Sequence, residues 1–286
     1  MPYIHLKIMG VINGHIKSRG RNWRMNLIEI KGLKKSFGEK KVLKGIDLSI
    51  GKGEIIGYIG PNGAGKSTTV KIMLGLIEEF EGDVFLFGED IRKASASYKR
   101  HIGYVPEAGE IYDTLTGHEY LSFLGELYSL KKELIEARIE RLMMLFGLQE
   151  VMHSRISSYS KGMRQKILII ASIIHNPDVL FLDEPIAGLD ANSVMVFKEL
   201  LHQLAKNGKT IFYSSHMMDV VEKISDRIVL IDQGIIAADG NFDTLNSTSQ
   251  YGSLEELFNK VTGTDNHEEI AKSIIETISG DDVWKN

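Results

Sequence analysis

Between Met25 and Ile50 apolar and polar residues alternate. "NLIEIKGLKKSF" and "KVLKGIDLSI" are short runs bounded by glycine and lysine, the pattern of antiparallel strands with one buried face. "EIIGYIG" breaks the alternation. Its continuous apolar run predicts a buried strand that leads into a glycine-rich loop and a helix from about Lys66. From Glu107 to Gly147 the period becomes helical, with "YLSFLGELYSL" and "IERLMMLFGL" carrying apolar residues three and four positions apart, and this predicts an inserted helical block. An apolar helix over Ile167 to Ile174 follows, then a buried strand "VLFL", an amphipathic helix, and strands "TIFYSS" and "RIVLID". That order restores a βαβ rhythm and predicts a mainly parallel sheet. The fold class is therefore α/β, with no internal repeat, heptad run or low-complexity segment.

Composition narrows the class further. At 286 residues, 43% apolar and 25% charged, the chain has the make-up of a globular protein with one large core and a small insertion. A net charge of −4 carries no nucleic-acid signature, so no nucleic-acid partner is expected. The charge is uneven: Lys7, Lys17, Arg19, Arg21 and Arg24 are the only charged side chains before Met25, whereas the tail after Tyr251 is acidic. The longest apolar run, "ILIIASII", is too short to cross a bilayer, so work at a membrane would need another chain to cross it. Absence of cysteine excludes disulfides and thiolate metal sites, and the first residues lack the apolar core and cleavage site of a secretory signal.

Three segments carry candidate chemistry. "GPNGAGKS" fits G-x-x-x-x-G-K-[ST] between a strand and a helix: the loop Gly60, Pro61, Asn62, Gly63, Ala64 and Gly65, then Lys66, Ser67 and Thr68. Glycines let backbone N–H groups curl around phosphates, Lys66 offsets their charge, and the Ser67 hydroxyl suits Mg²⁺. "VLFLDEP" puts Asp183 and Glu184 at the carboxyl end of a buried strand, where open α/β sheets bind ligands. Asp183 suits the Mg²⁺ shell, and Glu184 the orientation or deprotonation of an attacking water. "SYSKGMRQK", Ser158 to Lys166, begins a helix with a serine, a lysine and a glycine. It reads either as a second anion site or as an ordinary serine N-cap.

With these motifs in this order, the chain from about Met25 to Asn246 resembles the ATP-binding subunit of an ABC transporter. The resemblance implies a P-loop core around a mainly parallel sheet, an N-terminal antiparallel β-subdomain, and a helical subdomain at about 107–157 with the signature at 159–163. It implies hydrolysis of ATP with Mg²⁺ in a head-to-tail pair of cassettes, a homodimer or a heterodimer. Integral membrane permease subunits are the further partners, with the chain peripheral on the cytoplasmic face of the cell membrane. Phe37 occupies the place of the adenine-stacking aromatic. Glu107, in "GYVPEAGE", stands where the family usually has a glutamine that contacts Mg²⁺ and the catalytic water; it also reads as a solvated surface acid. Ser160 and Gly162 are kept from the signature, which in the family caps the γ-phosphate held by the facing subunit. Asp190 matches the loop along the dimer seam and is also a plausible N-cap. His216 matches the switch histidine that contacts the γ-phosphate. "GYVPE" with "YSKGMRQK" resembles subunits serving drug, bacteriocin and polysaccharide exporters, and "EAGEIYDTLTGHEY" is the candidate docking groove for a membrane subunit. The alternatives are a soluble ABC-type ATPase of DNA repair or translation and an interaction module that binds ATP without turnover.

Residues 1–24 read as a basic extension, disordered or an upstream-start artefact, and 247–286 as an acidic helical tail. A chain beginning at Met25 is expected to fold and to keep its ATPase activity. Insolubility or loss of turnover in that shortened protein, measured beside the full chain, contradicts the expectation.

Overall fold

A computed structural model describes residues 26–94, 96–107, 109, 111–247, 252–263 and 267–279. The expectations for residues 1–24 and for the end of the acidic tail lie outside the described residues.

The alternating N-terminal segments form β1 (Ile28–Phe37) and β2 (Lys40–Ile50), which pair antiparallel. Ile28, Ile30 and Leu33 turn to the buried face. The step from Ile30 to Leu33 is odd-numbered and so breaks the period of two. A bulge absorbs it, with Gly32 in the left-handed region at φ +56° and its N–H donated to Asp47 Oδ1 at 2.8 Å. On the other side β1 pairs with β4 (Glu81–Leu86), which pairs with the short β5 (Glu89–Asp90). This sheet runs β2-β1-β4-β5.

The continuous apolar runs build the second sheet, in the order β10-β9-β3-β8-β7-β6. Strands β3 (Ile55–Ile59), β6 (Ile102–Val105), β7 (Val179–Asp183), β8 (Thr210–Ser214) and β9 (Arg227–Asp232) are parallel, and β10 (Ile235–Gly240) closes one edge antiparallel. Every residue of β3, β6, β7 and β8 is buried, as expected of parallel strands covered on both faces. Helix α1 (Lys66–Met73) follows β3. Next come α2 (Gly117–Leu127), α3 (Lys132–Leu145) and α4 (Lys161–Ile173). Helices α5 (Ala191–Lys206) and α6 (Met218–Ile224) flank β8. The chain continues into α7 (Phe242–Ser247), α8 (Leu254–Thr262) and α9 (His267–Ser279), the last with Ile270, Ile274, Ile275 and Ile278 exposed.

Three apolar clusters hold these layers together. One joins the antiparallel sheet to a face of the parallel sheet through Tyr58, Phe181 and Phe212. The second covers the opposite face, with Leu180, Leu182, Ile211 and Tyr213 packed under α4, α5 and α6. The third lies within the helical block, where Leu121, Leu124, Ile139 and Met143 meet Ile167 and Ile170 of α4 and Ile174 just after it. Helix α4 thus supplies Leu168 and Ile169 to one core and Ile167 and Ile170 to another, which explains why "ILIIASII" is apolar all round.

Close approach of α4 to β6 depends on Gly103. A Cβ there collides with the Ser172 carbonyl oxygen and lies 2.5 Å from Leu180 Cδ2. Gly103→Ala should therefore lower stability by about 1–3 kcal/mol through overpacking alone, read as a lower urea midpoint at unchanged m-value. An unchanged midpoint contradicts this packing argument.

Candidate functional site

The glycine loop is built by exclusion of side chains. At Gly60 a Cβ collides with the Ile231 carbonyl oxygen, and at Gly65, with φ +114°, it lies 2.5 Å from Leu43 Cδ2. Gly63, at φ +82°, has open space where a side chain would stand. The loop is braced from behind: Ala64 N–H donates to the Pro61 carbonyl at 3.1 Å, Gly234 N–H to the Ala64 carbonyl at 3.1 Å, and Lys44 N–H to the Gly234 carbonyl at 2.8 Å. Thr69 is fully buried; its hydroxyl donates to the Gly65 carbonyl at 3.0 Å and accepts from the Tyr58 hydroxyl at 3.2 Å. Asn62 is exposed, while Pro61 and Thr68 are partly buried. Lys66 folds back over the loop, its Nζ donating to the carbonyls of Gly60 at 2.6 Å and Pro61 at 3.2 Å. Burial pushes the Lys66 amine below its ordinary value, and the charges of Asp183, Glu184 and Glu107 oppose that shift.

The two carboxylates stand where β7 ends. Asp183 is register partner to Ser214 of β8 and only 5% exposed, and its Oδ2 accepts from the Ser67 hydroxyl at 3.3 Å. Burial raises the Asp183 carboxyl above its usual range; the charges of Glu107 and Glu184 add to this, and the hydroxyls of Ser214 and Ser67 oppose it. Glu184 lies in the left-handed region at φ +50°, and its N–H donates to the Ser214 carbonyl at 2.9 Å. Its Oε2 accepts from the Ser215 hydroxyl at 2.9 Å. Its Oε1 accepts from the His216 backbone N–H at 2.8 Å and lies 2.8 Å from His216 Nδ1. Glu107 is exposed, just past β6, and acts electrostatically on Lys66 and Asp183.

The remaining predicted residues sit apart from this group. Ser160 is the N-cap of α4, its hydroxyl accepting from Met163 N–H at 3.3 Å. Gly162 faces the turn after Glu184, where a Cβ would stand 2.8 Å from the Gly188 carbonyl oxygen. Asp190 is the N-cap of α5, accepting from Ser193 N–H at 2.9 Å and from the Ser193 hydroxyl at 2.6 Å, bonds that hold its carboxyl below the usual range. Phe37 ends β1 with its ring 50% exposed and Lys35 Nζ 5.0 Å from the ring centroid. The structure thus brings Lys66, Ser67, Glu107, Asp183, Glu184 and His216 together at the carboxyl ends of parallel strands. It places Ser160, Gly162 and Asp190 along a neighbouring seam.

Two residues of the site were overlooked in the sequence. Ser215 grips Glu184, and nothing in "SSH" marks its second serine for that task. Gln165, buried in α4, donates through Nε2 to the Pro185 carbonyl at 2.7 Å and ties the signature helix to the carboxylate strand. Its signal was a single amide in an apolar helix.

A nucleotide with its metal fits these donors. The ammonium of Lys66 rests on two loop carbonyls, a weaker acceptor set than phosphate oxygens. The first N–H groups of α1 have no intrahelical acceptors, and Gly63 leaves the loop open. Serine hydroxyl and carboxylate oxygens are the hard donors that Mg²⁺ takes.

Comparison with known proteins agrees with this geometry. The family described as ABC transporter matches residues 43–187. ABC transporter ATP-binding protein NatA of Bacillus subtilis (strain 168) is 38% identical over 225 residues, covering 77% of this chain and 91% of that protein. Linearmycin resistance ATP-binding protein LnrL of the same organism is 40% identical over 214 residues, covering 75% of this chain and 69% of that protein. A solved structure described as the ATP binding subunit of an ABC transporter superposes with a TM-score of 0.78 at 30% identity, over 82% of this chain and 99% of its own. A nucleotide-free ATP-binding cassette, 23% identical with a TM-score of 0.70, shares the fold. The phosphate loop at the end of β3, the carboxylates at the end of β7 and these relatives agree that the chain belongs to the ABC transporter family, as an ATP-binding, ATP-hydrolysing subunit.

Proposed function

We propose that the chain hydrolyses ATP with Mg²⁺ at a head-to-tail seam with a second cassette, identical or paralogous, and so drives export through separate membrane subunits. The observation that carries the reading is the convergence of Lys66, Ser67, Asp183, Glu184 and His216 at one end of the parallel sheet. Among the described residues no helix is long and apolar enough to cross a membrane; in this reading separate chains form the passage and this one is peripheral on the cytoplasmic face of the membrane. A relative named for linearmycin resistance supports export, because removing a toxic compound from the cell protects it.

In this reading Gly60, Pro61, Asn62, Gly63, Ala64, Gly65 and Thr68 line the phosphates, and Lys66 trades its two loop carbonyls for phosphate oxygens. Phe37 offers its exposed ring to the adenine. Ser67, Asp183 and Glu107 would hold Mg²⁺, which when bound neutralises charge on the transferring phosphoryl group. Among the described residues no three His, Asp or Glu side chains form a ready-made metal cluster, so phosphate oxygens would complete the shell. Glu184 orients and deprotonates the attacking water, with His216 against it. Ser160 and Gly162 serve the nucleotide of the facing subunit, with Asp190 along the seam. "EAGEIYDTLTGHEY" begins the helical block and supplies the groove for the membrane subunits. The held carboxylate of Glu184 disfavours a module that binds ATP without turning it over.

Glu184→Gln should keep ATP binding while hydrolysis falls by on the order of a hundredfold or more. With MgATP it should elute as a dimer in size-exclusion chromatography. A second change, Ser160→Phe, should abolish that dimer by filling the place of the facing phosphate, and Lys66→Ala should abolish it by loss of nucleotide. A Ser160→Phe, Glu184→Gln protein that dimerises as tightly as Glu184→Gln alone would falsify the assignment of the signature to a partner's phosphate.

Glu107→Gln restores the residue usual in the family and should leave turnover within about tenfold, roughly 1.4 kcal/mol in barrier. The carboxylate form should reach half-maximal rate at lower Mg²⁺, because it adds charge to the same hard-oxygen set. Superimposable Mg²⁺ titrations of the two proteins rule out ligation by Glu107.

A further inference from the structure

Glu184 is gripped by three groups of unequal rigidity. The His216 ring is 78% exposed and free to turn toward solvent. The other two are fixed. One is the His216 backbone N–H, 2.8 Å from Oε1; the other is the Ser215 hydroxyl, 2.9 Å from Oε2. Ser215 is 1% exposed, and its oxygen accepts from Met217 N–H at 3.2 Å. With a lone pair committed to Met217, the hydroxyl hydrogen is directed to the carboxylate. Ser215 also lies against the buried Tyr213 phenol, whose value burial raises; the Ser215 hydroxyl opposes that rise and the Glu184 charge adds to it.

We propose that Ser215 is the positioning residue for Glu184. Its buried hydroxyl holds one carboxylate oxygen while the His216 N–H holds the other, and the plane of the carboxylate is fixed before nucleotide arrives. Orientation of this kind acts on the chemical step and leaves ground-state nucleotide binding alone. The proposal rests on the reading of Glu184 as the group that activates water. The competing structural role for Ser215 is to hold the turn between β8 and α6 through Met217 N–H, and loss of that role would disturb nucleotide affinity with turnover.

The test is Ser215→Ala in the full chain, with kcat and KM for ATP, binding of a fluorescent ATP analogue, and the same change made in the Glu184→Gln background. The expected result is a fall in kcat of between about tenfold and a hundredfold at unchanged KM and analogue affinity. In the Glu184→Gln protein the same change should add nothing to the residual rate, because a residue that acts through another loses its effect when that partner is gone. A Ser215→Ala kcat within about twofold of the parent overturns the proposal, as does a parallel loss of nucleotide affinity or an equal further loss beside Glu184→Gln. Glu184→Gln that turns over like the parent overturns the reading of Glu184 and this proposal with it. An inactive Glu184→Gln beside an unimpaired Ser215→Ala overturns the proposal alone.

Discussion

The parallel pairing of β7 with β8, Asp183 opposite Ser214, is the constraint on which the site depends. Side chains alternate across a strand, so parity decides every later contact. Phe181 and Phe212 face the side covered by the antiparallel sheet, with ring centroids 5.6 Å apart, and Asp183 shares their parity and meets Ser67 of α1. Leu180, Leu182, Ile211 and Tyr213 face the other helical layer, and Ser215 keeps the parity of Tyr213. A slip of one residue would exchange both sets of partners. Burial of both faces makes such a slip costly, because the aromatic and aliphatic sets differ in volume and shape.

Electrostatics follow from that register. The charges of Asp183, Glu184 and Glu107 act on the partly buried Lys66, and burial opposes the charged form of Lys66 and of Asp183 alike. Both shifts come first from burial, which penalises a charge taken out of water. The donors around Asp183 are of the hard-oxygen kind that suits Mg²⁺. Glu184 differs from Asp183 in its partners: it accepts from the Ser215 hydroxyl and the His216 backbone N–H, and His216 Nδ1 lies 2.8 Å from its Oε1.

Helix α4 links the site to the rest of the molecule. Its first turn carries Ser160 and Gly162, its middle sends Gln165 to the Pro185 carbonyl, and its later turns belong to two cores. Gly162 has a local reason to be glycine, the approach of the Gly188 carbonyl, in addition to any role toward a facing subunit. Likewise Ser160 and Asp190 act as helix caps here. A cap oxygen and a phosphate compete for the same orphan N–H groups, so one residue type serves both uses.

The sequence by itself determined the α/β class, most of the order of strands and helices around the glycine loop, and the placement of Lys66 and Ser67 after that loop and of Asp183 and Glu184 at the end of a buried strand. These are legible because they depend on short-range physics. Glycines are needed where a loop must curl, apolar runs where a strand is covered on both faces, and acids where such a strand ends. The strands β4, β5 and β6 and the edge strand β10 are not legible in this way, since short or half-exposed strands carry weak patterns. Only the tertiary structure decided that Ser215 and His216 grip Glu184, that Gln165 reaches Pro185, and that α4 is shared between two cores. Periodicity along one strand or helix fixes which way its own side chains point. Which partner each meets is set by the register between segments far apart in the chain, and that register comes from packing both faces of the sheet at once.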